Sequence, residues 1–400
     1  MKSQSGMDNN NQGFQKGALG IEYTPVFAAN LKRLQDCVQM KHIDRVPHFS
    51  KFYTWKILDS DLKPKLSEAL TNYAMLDQIQ CEFHERYHFD TQYDVLNRNL
   101  LRPDQVLGNS HHMVDDEAES INFFDHEIMQ GDEYWEYADN PWSVIWKMWQ
   151  RKYPDVTCGQ AAQAAYRCLE NGAYVRYIKE KVAAIYGVVH CYGIFLPQVP
   201  FERFNKYYRG IKAGHMDLRR HKKDMKYCFD KIMEEEIMPS LEKSFATDTS
   251  MYMNDYNYTM LSHAMLSKSQ WEEMYWPYLK KMLDAVLEHG KNVQIFIEDS
   301  MLRFADYFKE YPKGFLTLLA ENDDVIELRK ALPNACIVGG MKASMLGTAT
   351  PEVCVEEAKR LINEMGDGFI LGQDKMMTFR IDAKRENLQA VCDYVRDFRW

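Results

Sequence analysis

Hydrophobic positions in the C-terminal half of the chain change regularly between two spacings. Apolar residues recur at helical spacing over residues 271–289, and Gly290 follows at the position of a helix C-cap. The next apolar run, Val293–Ile297, is short and rich in β-branched residues, which predicts a buried strand. A long amphipathic segment next to a short apolar one is typical of a βα unit.

The same pattern continues to the end of the chain. It predicts strands at residues 315–319, 335–338 and 369–371, and helices at residues 300–311, 325–332, 351–365 and 382–398. Gly339 and Gly340 are expected to stop the second of these strands. Right-handed crossovers place all four strand ends on one face of a parallel sheet. Because no G-x-G-x-x-G motif follows a strand, the usual dinucleotide site is excluded.

The N-terminal half has weaker periodicity. We expect a helix near residues 30–40, a first strand at 45–52 and another strand at 186–196. Residues 1–30 are predicted to be a disordered tail, because the first part is polar and rich in Asn, Gln and Gly, and residues 31–400 a single domain. An irregular insertion at about residues 119–153 contains four tryptophans, and we expect it to cover part of the face where the strands end.

Composition and charge narrow the possible partners. The net charge is −9 and no Lys/Arg run is long enough to act as a local basic surface, so nucleic acid is not expected to bind. The longest apolar run, residues 182–196, is interrupted by polar residues and is shorter than the roughly 20 residues that span a bilayer, so no membrane segment is expected. Nine scattered cysteines without a C-x-x-C pair are typical of reduced thiols, which predicts a cytoplasmic protein.

Several short motifs occur in an order that resembles one known superfamily. They are Arg45-Val46-Pro47, Pro200-Phe201 with Arg209-Gly210, Trp276-Pro277-Tyr278, Ile337-Val338-Gly339-Gly340-Met341 with Leu346-Gly347-Thr348, and Glu386-Asn387-Leu388. The pattern resembles long-form members of the uroporphyrinogen decarboxylase-like superfamily. This resemblance implies an α/β fold, a TIM-type (β/α)8 barrel with an N-terminal helical extension, an active site at the barrel mouth and a possible homodimer.

The superfamily has two chemistries, and the chain departs from the site pattern of each. Decarboxylases hold the carboxylates of their substrate with arginines in an N-terminal motif, whereas residues 48–53 here contain none, which disfavours a porphyrinogen. Thiol methyltransferases carry a His-x-Cys pair and a late cysteine that bind zinc. Here the pair becomes Phe296 and Glu298, and the late region reads Gln373-Asp374.

Oxygen-rich side chains at strand ends replace that zinc set. We expect Glu298, Asp374 and His263 to be catalytic, and the same three side chains are the candidate ligands of a metal such as zinc. Simpler roles compete in each case. The alternative for Glu298 is a loop or N-cap carboxylate, and the alternative for Asp374 is a salt bridge with Lys375 or Arg380. The alternative for His263 is a core histidine.

Substrate contacts are expected from residues close to the same face, namely His190, Arg209, Tyr256, Phe296 and Gln373. Two of these predictions have structural alternatives. His190 either points into the barrel or packs under a helix, and Arg209 either holds an anionic group or pairs with Asp217.

The leading functional hypothesis is a corrinoid-dependent methyltransferase. It would move a methyl group from a small aromatic or apolar donor to a corrinoid carried by a partner protein, and the aromatic content of 13% suits such a donor. The alternative is a cofactor-free decarboxylase or lyase that acts on a carboxylated substrate. A third possibility is a binding protein that kept the barrel and lost the chemistry.

Overall fold

Parallel strands form a barrel in the computed structural model, which describes residues 22–96, 101–108 and 112–400. In chain order they are β1 (His48–Ser50), β2 (Thr91–Gln92), β3 (Val189–His190 and Tyr192–Phe195), β4 (Asn254–Met260), β5 (Val293–Ile297), β6 (Leu316–Leu319), β7 (Cys336–Met341) and β8 (Phe369–Gln373). Each strand pairs in parallel with the next, and β1 also pairs with β8.

Strand β3 closes the barrel although Cys191 divides it into two segments. The first segment pairs with β2 and the second with β4. Cys191 itself bridges both sides, because its N–H donates to the Gln92 carbonyl (3.4 Å) and its carbonyl accepts from the Asn254 N–H (3.0 Å). With β3 counted as one strand, the described residues form a (β/α)8 barrel, which confirms the predicted fold class.

An N-terminal helix, Pro25–Val38, covers the end of the barrel where the strands begin. Thr24 caps this helix, and the Cys37 thiol donates to the carbonyl of Phe369 at the start of β8 (3.3 Å). The predicted helical extension is therefore present, but it begins at Pro25, within the stretch expected to be disordered. Residues 1–21 lie outside the described residues, so the disordered tail stays a prediction there.

Helices and short turns surround the barrel. The further α-helices are Trp55–Asp59, Leu66–Ala69, Tyr73–Tyr87, Leu101–Val106, Tyr134–Asp139, Pro141–Lys152, Cys158–Tyr186, Pro200–Arg203, Ile211–Arg220, Lys222–Ile232, Met238–Ser244, Lys268–Met274, Trp276–Glu288, Val325–Ala331, Ala343–Thr348, Pro351–Met365 and Arg385–Asp397. Phe204–Tyr208 and Met233–Ile237 are π-helical, while His263–Met265, Leu302–Phe308 and Arg380–Asp382 are 3₁₀ helices. Outside the barrel, His112–Asp115 and Ser120–Phe123 form an antiparallel hairpin. Among the helices of the described segments, none is long and apolar enough to cross a membrane.

Glycine and proline explain two differences from the predicted elements. The helix expected at residues 271–289 is divided at Tyr275, because Pro277 starts a new helix in its first turn. Gly339 and Gly340 do not stop their strand but lie inside β7. Gly340 has φ +97°, and a Cβ there would come within 3.0 Å of Leu361 Cδ1, so glycine allows the adjoining helix to pack closely.

The tryptophan-rich insertion is more regular than predicted. Most of its second half is helical, over Tyr134–Asp139 and Pro141–Lys152, and it packs against the helix Lys222–Ile232. Trp142 and Trp146 do not enter the core, since they are 77% and 59% exposed.

Candidate active site at the barrel mouth

The alternation of side chains along parallel strands brings four charged residues to the barrel mouth. Apolar side chains of one buried cluster fill the barrel interior, among them Phe49, Phe296, Leu319 and Ile370. Because successive strand residues point to opposite faces, the residues two and four positions after each of these apolar residues point to the same inner face. Those positions lie just beyond the carboxyl ends of β1, β5, β6 and β8 and carry Lys51, Glu298, Glu321 and Asp374.

Lys51 has the most unusual environment of the four. Its side chain is fully buried, and its Nζ lies 3.6 Å from Glu321 Oε1 and 4.9 Å from the centre of the Phe296 ring. The Nζ is also 3.5 Å from the Ala320 carbonyl oxygen. A buried ammonium needs such acceptors, because the loss of hydration is costly. The result is a cation above an aromatic ring at the mouth.

Two of the carboxyl groups have a raised pKa. Burial raises the pKa of Glu321, and the negative charge of Glu298 adds to this effect, while Lys51 opposes it. Burial also raises the pKa of Asp374, against the effects of Lys51 and of the Ala343 N–H that it accepts at 3.0 Å. A carboxyl group with a raised pKa is suited to donate a proton during catalysis.

Two of the predicted catalytic residues therefore lie at the mouth. Glu298 is exposed there and acts on the pKa of Glu321, and Asp374 is partly buried. The salt bridges that were alternatives for Asp374 are not formed, since Lys375 lies 3.5 Å from Asp382 and Arg380 pairs with Glu119.

His263 does not join them. It is fully buried, its Nε2 lies 3.1 Å from the Ser300 carbonyl oxygen, and its ring is 6.4 Å from Phe304. Burial lowers its pKa to about 4, so it is a neutral core histidine. Across the described ranges, no group of three or more His, Cys, Asp or Glu side chains is arranged to hold a metal ion. The predicted metal set is therefore wrong, and these residues do not fit zinc.

Arg209 and Tyr256, two of the predicted substrate contacts, have structural partners. The Arg209 Nε donates to Asp217 Oδ2 (2.5 Å) and its Nη1 to Glu127 Oε1 (2.8 Å), so the guanidinium has a structural role. The Tyr256 hydroxyl lies 2.7 Å from Ser244 Oγ. Its ring packs in the cluster between the barrel wall and the outer helices, away from the interior.

The other three predicted contacts differ in position. Phe296 lies in the interior, 5.2 Å from the ring of Tyr93. Gln373 is buried, and its Oε1 accepts from the backbone N–H of Lys51 (2.8 Å), so it joins β8 to β1. His190 is buried and neutral, since burial lowers its pKa well below the usual value. Neither ring nitrogen has a hydrogen-bond partner in the part of the chain that the structure describes.

Lys51 and Glu321 are the site residues that were not predicted. A signal for both was present in the sequence, because each stands two positions after a buried apolar strand residue, as Glu298 does after Phe296. The strand at Lys51 is only three residues long, so its alternation is too short to identify the inward face without the structure.

Comparisons with known proteins agree with this architecture. Residues 217–398 match the family described as uroporphyrinogen decarboxylase (URO-D). A methyltransferase from Methanosarcina mazei has a similar structure, with a TM-score of 0.60 and 13% sequence identity over 92% of this chain and 98% of that chain. No curated protein matches the chain significantly. Residues 217–398 are thus similar to the uroporphyrinogen decarboxylase family, and this range contains the motifs at residues 276–278, 337–348 and 386–388, so the match confirms the resemblance for that part of the chain.

Proposed function

We propose that this protein is a methyltransferase that takes a methyl group from a small aromatic or apolar donor and passes it to a corrinoid on a partner protein. The observation that carries the proposal is the buried Lys51 ammonium beside Glu321 and above the Phe296 ring. Both comparisons are with enzymes, and the name of the Methanosarcina mazei protein supports methyl transfer.

The donor would bind on the aromatic floor below the charged residues. The ring of Tyr93 lies 5.2 Å from Phe296 and 5.8 Å from Tyr192, and all three rings belong to the buried interior cluster. Offset or tilted aromatic contacts at such distances favour a flat apolar group. A floor of this kind also keeps water away from the reacting bond.

The charged residues would act on the leaving group of the donor. When a methyl group departs from an ether oxygen, negative charge develops on that oxygen. The Lys51 ammonium would stabilise this charge, and Asp374 would donate the proton that completes the alcohol product. The raised pKa of Asp374 supports this role, because the group stays protonated to a higher pH than usual.

The loops around the mouth suit an apolar partner surface. Large exposed side chains lie at the end of β3 and beyond the ends of β4 and β8, namely Phe195, Met265, Phe379 and Ile381. Exposed apolar groups of this kind often mark an interaction site. These residues would contact the corrinoid or its carrier, and the corrinoid would supply the nucleophile that accepts the methyl group.

A cofactor-free decarboxylase or lyase is the second candidate. The observation in its favour is Lys51, since a buried ammonium would hold a substrate carboxylate as well as a developing oxyanion. In this reaction a carboxyl group at the mouth would protonate the carbon that loses carbon dioxide.

Product analysis separates the two candidates. The purified protein is incubated with cob(I)alamin and a panel of methyl ethers and methylamines, and methylcobalamin is followed by its absorbance. We expect methylcobalamin from at least one aromatic methyl ether, and a loss of this signal in Lys51→Met but not in Lys375→Met, whose side chain is 50% exposed. Carbon dioxide release from carboxylated analogues without methylcobalamin would favour the lyase. No methylcobalamin with any donor, while a known methyltransferase reacts in parallel, would refute the proposal.

A further inference from the structure

Two residues at the mouth carry charges that have no partner in the described part of the chain. Glu298 follows β5 and Lys342 follows β7, and both side chains are exposed. Among the described residues, neither the carboxylate nor the ammonium forms an ion pair or a side-chain hydrogen bond. The other charged groups of the mouth are engaged, since Lys51 pairs with Glu321 and Asp374 accepts a backbone N–H at 3.0 Å.

Both side chains belong to the inner side of the barrel. Glu298 stands two positions after Phe296, whose ring lies in the interior. Met341, the last residue of β7, packs in the outer cluster, so the next residue, Lys342, points to the opposite side. The charge of Lys342 also opposes the rise in the pKa of Asp374, so the ammonium is close to that carboxyl group. The two charges therefore stand above the barrel interior rather than on its outer surface.

Strand β6 separates the two residues. It pairs with β5 on one side and with β7 on the other. Two strand spacings, each about 5 Å and together about 10 Å, lie between the backbones. Glu321 follows β6 and is already engaged with Lys51 at 3.6 Å. Two flexible side chains of opposite charge at this spacing can close on a small group that lies between them.

The signs of the two charges identify the ligand. A purely anionic ligand would bind Lys342 but would be repelled by Glu298, and a purely cationic ligand would meet the reverse. A group that carries both an ammonium and a carboxylate pairs with both residues and brings no net charge to the mouth. We propose that Glu298 and Lys342 bind the zwitterionic head of an amino acid-like substrate, with its ammonium at Glu298 and its carboxylate at Lys342.

The aromatic floor fits the other end of such a molecule. The buried rings of Phe296 and Tyr93 lie 5.2 Å apart in the interior. An aromatic side chain placed on them would direct a methyl ether towards Lys51, whose Nζ is 4.9 Å from the centre of the Phe296 ring. The inference rests on the proposed function for the methyl group alone, because a zwitterionic head and an apolar body define the ligand whichever bond reacts.

Binding of three probes tests the proposal in the absence of cob(I)alamin. The probes are O-methyltyrosine, the amine that lacks its carboxylate and the acid that lacks its amino group. By isothermal titration calorimetry, we expect O-methyltyrosine to bind the wild type about 10-fold more tightly than either analogue, because each analogue loses one charge-assisted hydrogen bond. Equal binding of the three probes, or no binding of O-methyltyrosine, would overturn the inference.

Two substitutions assign the two contacts. We expect Lys342→Gln to lose the preference over the amine but to keep the preference over the acid, and Glu298→Gln to show the opposite change. Lys375→Gln and Glu356→Gln are matched controls, since these side chains are 50% and 70% exposed and pair with other residues of the protein. Both controls should keep both preferences, and circular dichroism checks that each variant is folded. Unchanged preferences in Lys342→Gln and Glu298→Gln would contradict the assignment.

Methylcobalamin formation is measured separately with the same probes. If O-methyltyrosine binds with the expected preferences but yields no methylcobalamin, the ligand class stands and the proposed reaction fails. If uncharged methyl ethers yield methylcobalamin while O-methyltyrosine does not bind, the reaction stands and the ligand class fails.

Discussion

Lys51 on the β1 side and Glu321 on the β6 side form an ion pair across the barrel mouth, with 3.6 Å between Nζ and Oε1. Strands β7 and β8 separate the two residues in the sheet, so the pair spans the interior rather than one strand boundary. The lysine is fully buried and the glutamate is 13% exposed. An ion pair in this setting is poorly screened by water.

Replacement of Lys51 by methionine tests its role in catalysis. Methionine keeps the volume of the buried chain but removes the charge, and loss of a single electrostatic stabiliser typically lowers kcat by about 100-fold or more. We expect such a loss in methylcobalamin formation, together with a further rise in the pKa of Glu321, because Lys51 lowers it in the native protein. Carbon-13 NMR of labelled glutamate measures the pKa. An unchanged rate would remove Lys51 from the mechanism.

The raised pKa values of Glu321 and Asp374 also predict how stability depends on pH. A carboxyl group whose pKa is higher in the folded than in the unfolded chain contributes stability that is complete below the unfolded value. This contribution is lost as the pH rises through the folded value. Unfolded carboxyl groups titrate near pH 4. We expect the Tm of the double variant, Glu321→Gln with Asp374→Asn, to rise relative to the Tm of the wild type as the pH increases from about 4 to neutrality.

Thermal unfolding over this pH range checks the prediction. The pair Glu356→Gln with Asp397→Asn is a matched control, because these two carboxylate side chains are 70% and 74% exposed. A constant difference in Tm between the double variant and the wild type would show that burial does not shift these carboxyl groups.

The sequence predicted individual elements where its periodicity was long enough. Strand Val293–Ile297 and helix Pro351–Met365 have the predicted ends, because apolar runs and a proline at the helix start define them. Strands β1 and β2 have only three and two residues, which is too few for alternation to show. The division of β3 at Cys191 depends on pairing with two neighbours and has no local signal.

The side chains of the site show a similar limit. Glu298 and Asp374 were predicted because they directly follow clear strands. Tyr256 was assigned to the wrong face, because the neighbouring Asn257 is the inward residue: its side chain accepts from Gln294 (2.8 Å) and donates to the Tyr93 hydroxyl (3.3 Å) inside the barrel. A one-residue shift in register reverses the face, and the apolar pattern of β4 does not define it.

Removal of the Arg209 side chain distinguishes its structural role from a substrate contact. Arg209 joins Asp217 to Glu127 and to the Met129 carbonyl of the insertion. We expect Arg209→Met to leave KM nearly unchanged but to increase hydrogen exchange over residues 125–152, because the buried Asp217 carboxylate loses its cation. Mass spectrometry of exchanged peptides measures the effect. A large rise in KM with normal protection would restore the substrate role.

Gly347 connects two of the sequence motifs to the mouth. The side chain of Asn387, in the motif at residues 386–388, donates to the carbonyl of Leu346, in the motif at residues 346–348 (2.8 Å). This hydrogen bond holds Gly347 against the loop after β8. A Cβ on Gly347 would overlap with the carbonyl oxygen of Ile381, so backbone must move. We expect Gly347→Ala to cost about 2 kcal/mol in the free energy of unfolding, as overpacked sites do.

The same substitution should also affect the reaction, because Ile381 and Phe379 are exposed in the loop that it displaces. We expect slower methyl transfer to cob(I)alamin in Gly347→Ala even where the variant is fully folded. Gly172→Ala is the matched control, since Gly172 is helical and open space surrounds the position of a new Cβ. That variant should be more stable by about 0.5–1 kcal/mol and equally active. If both variants behave alike, the overlap with Ile381 is relieved without moving the loop, and the rim of the mouth does not depend on Gly347.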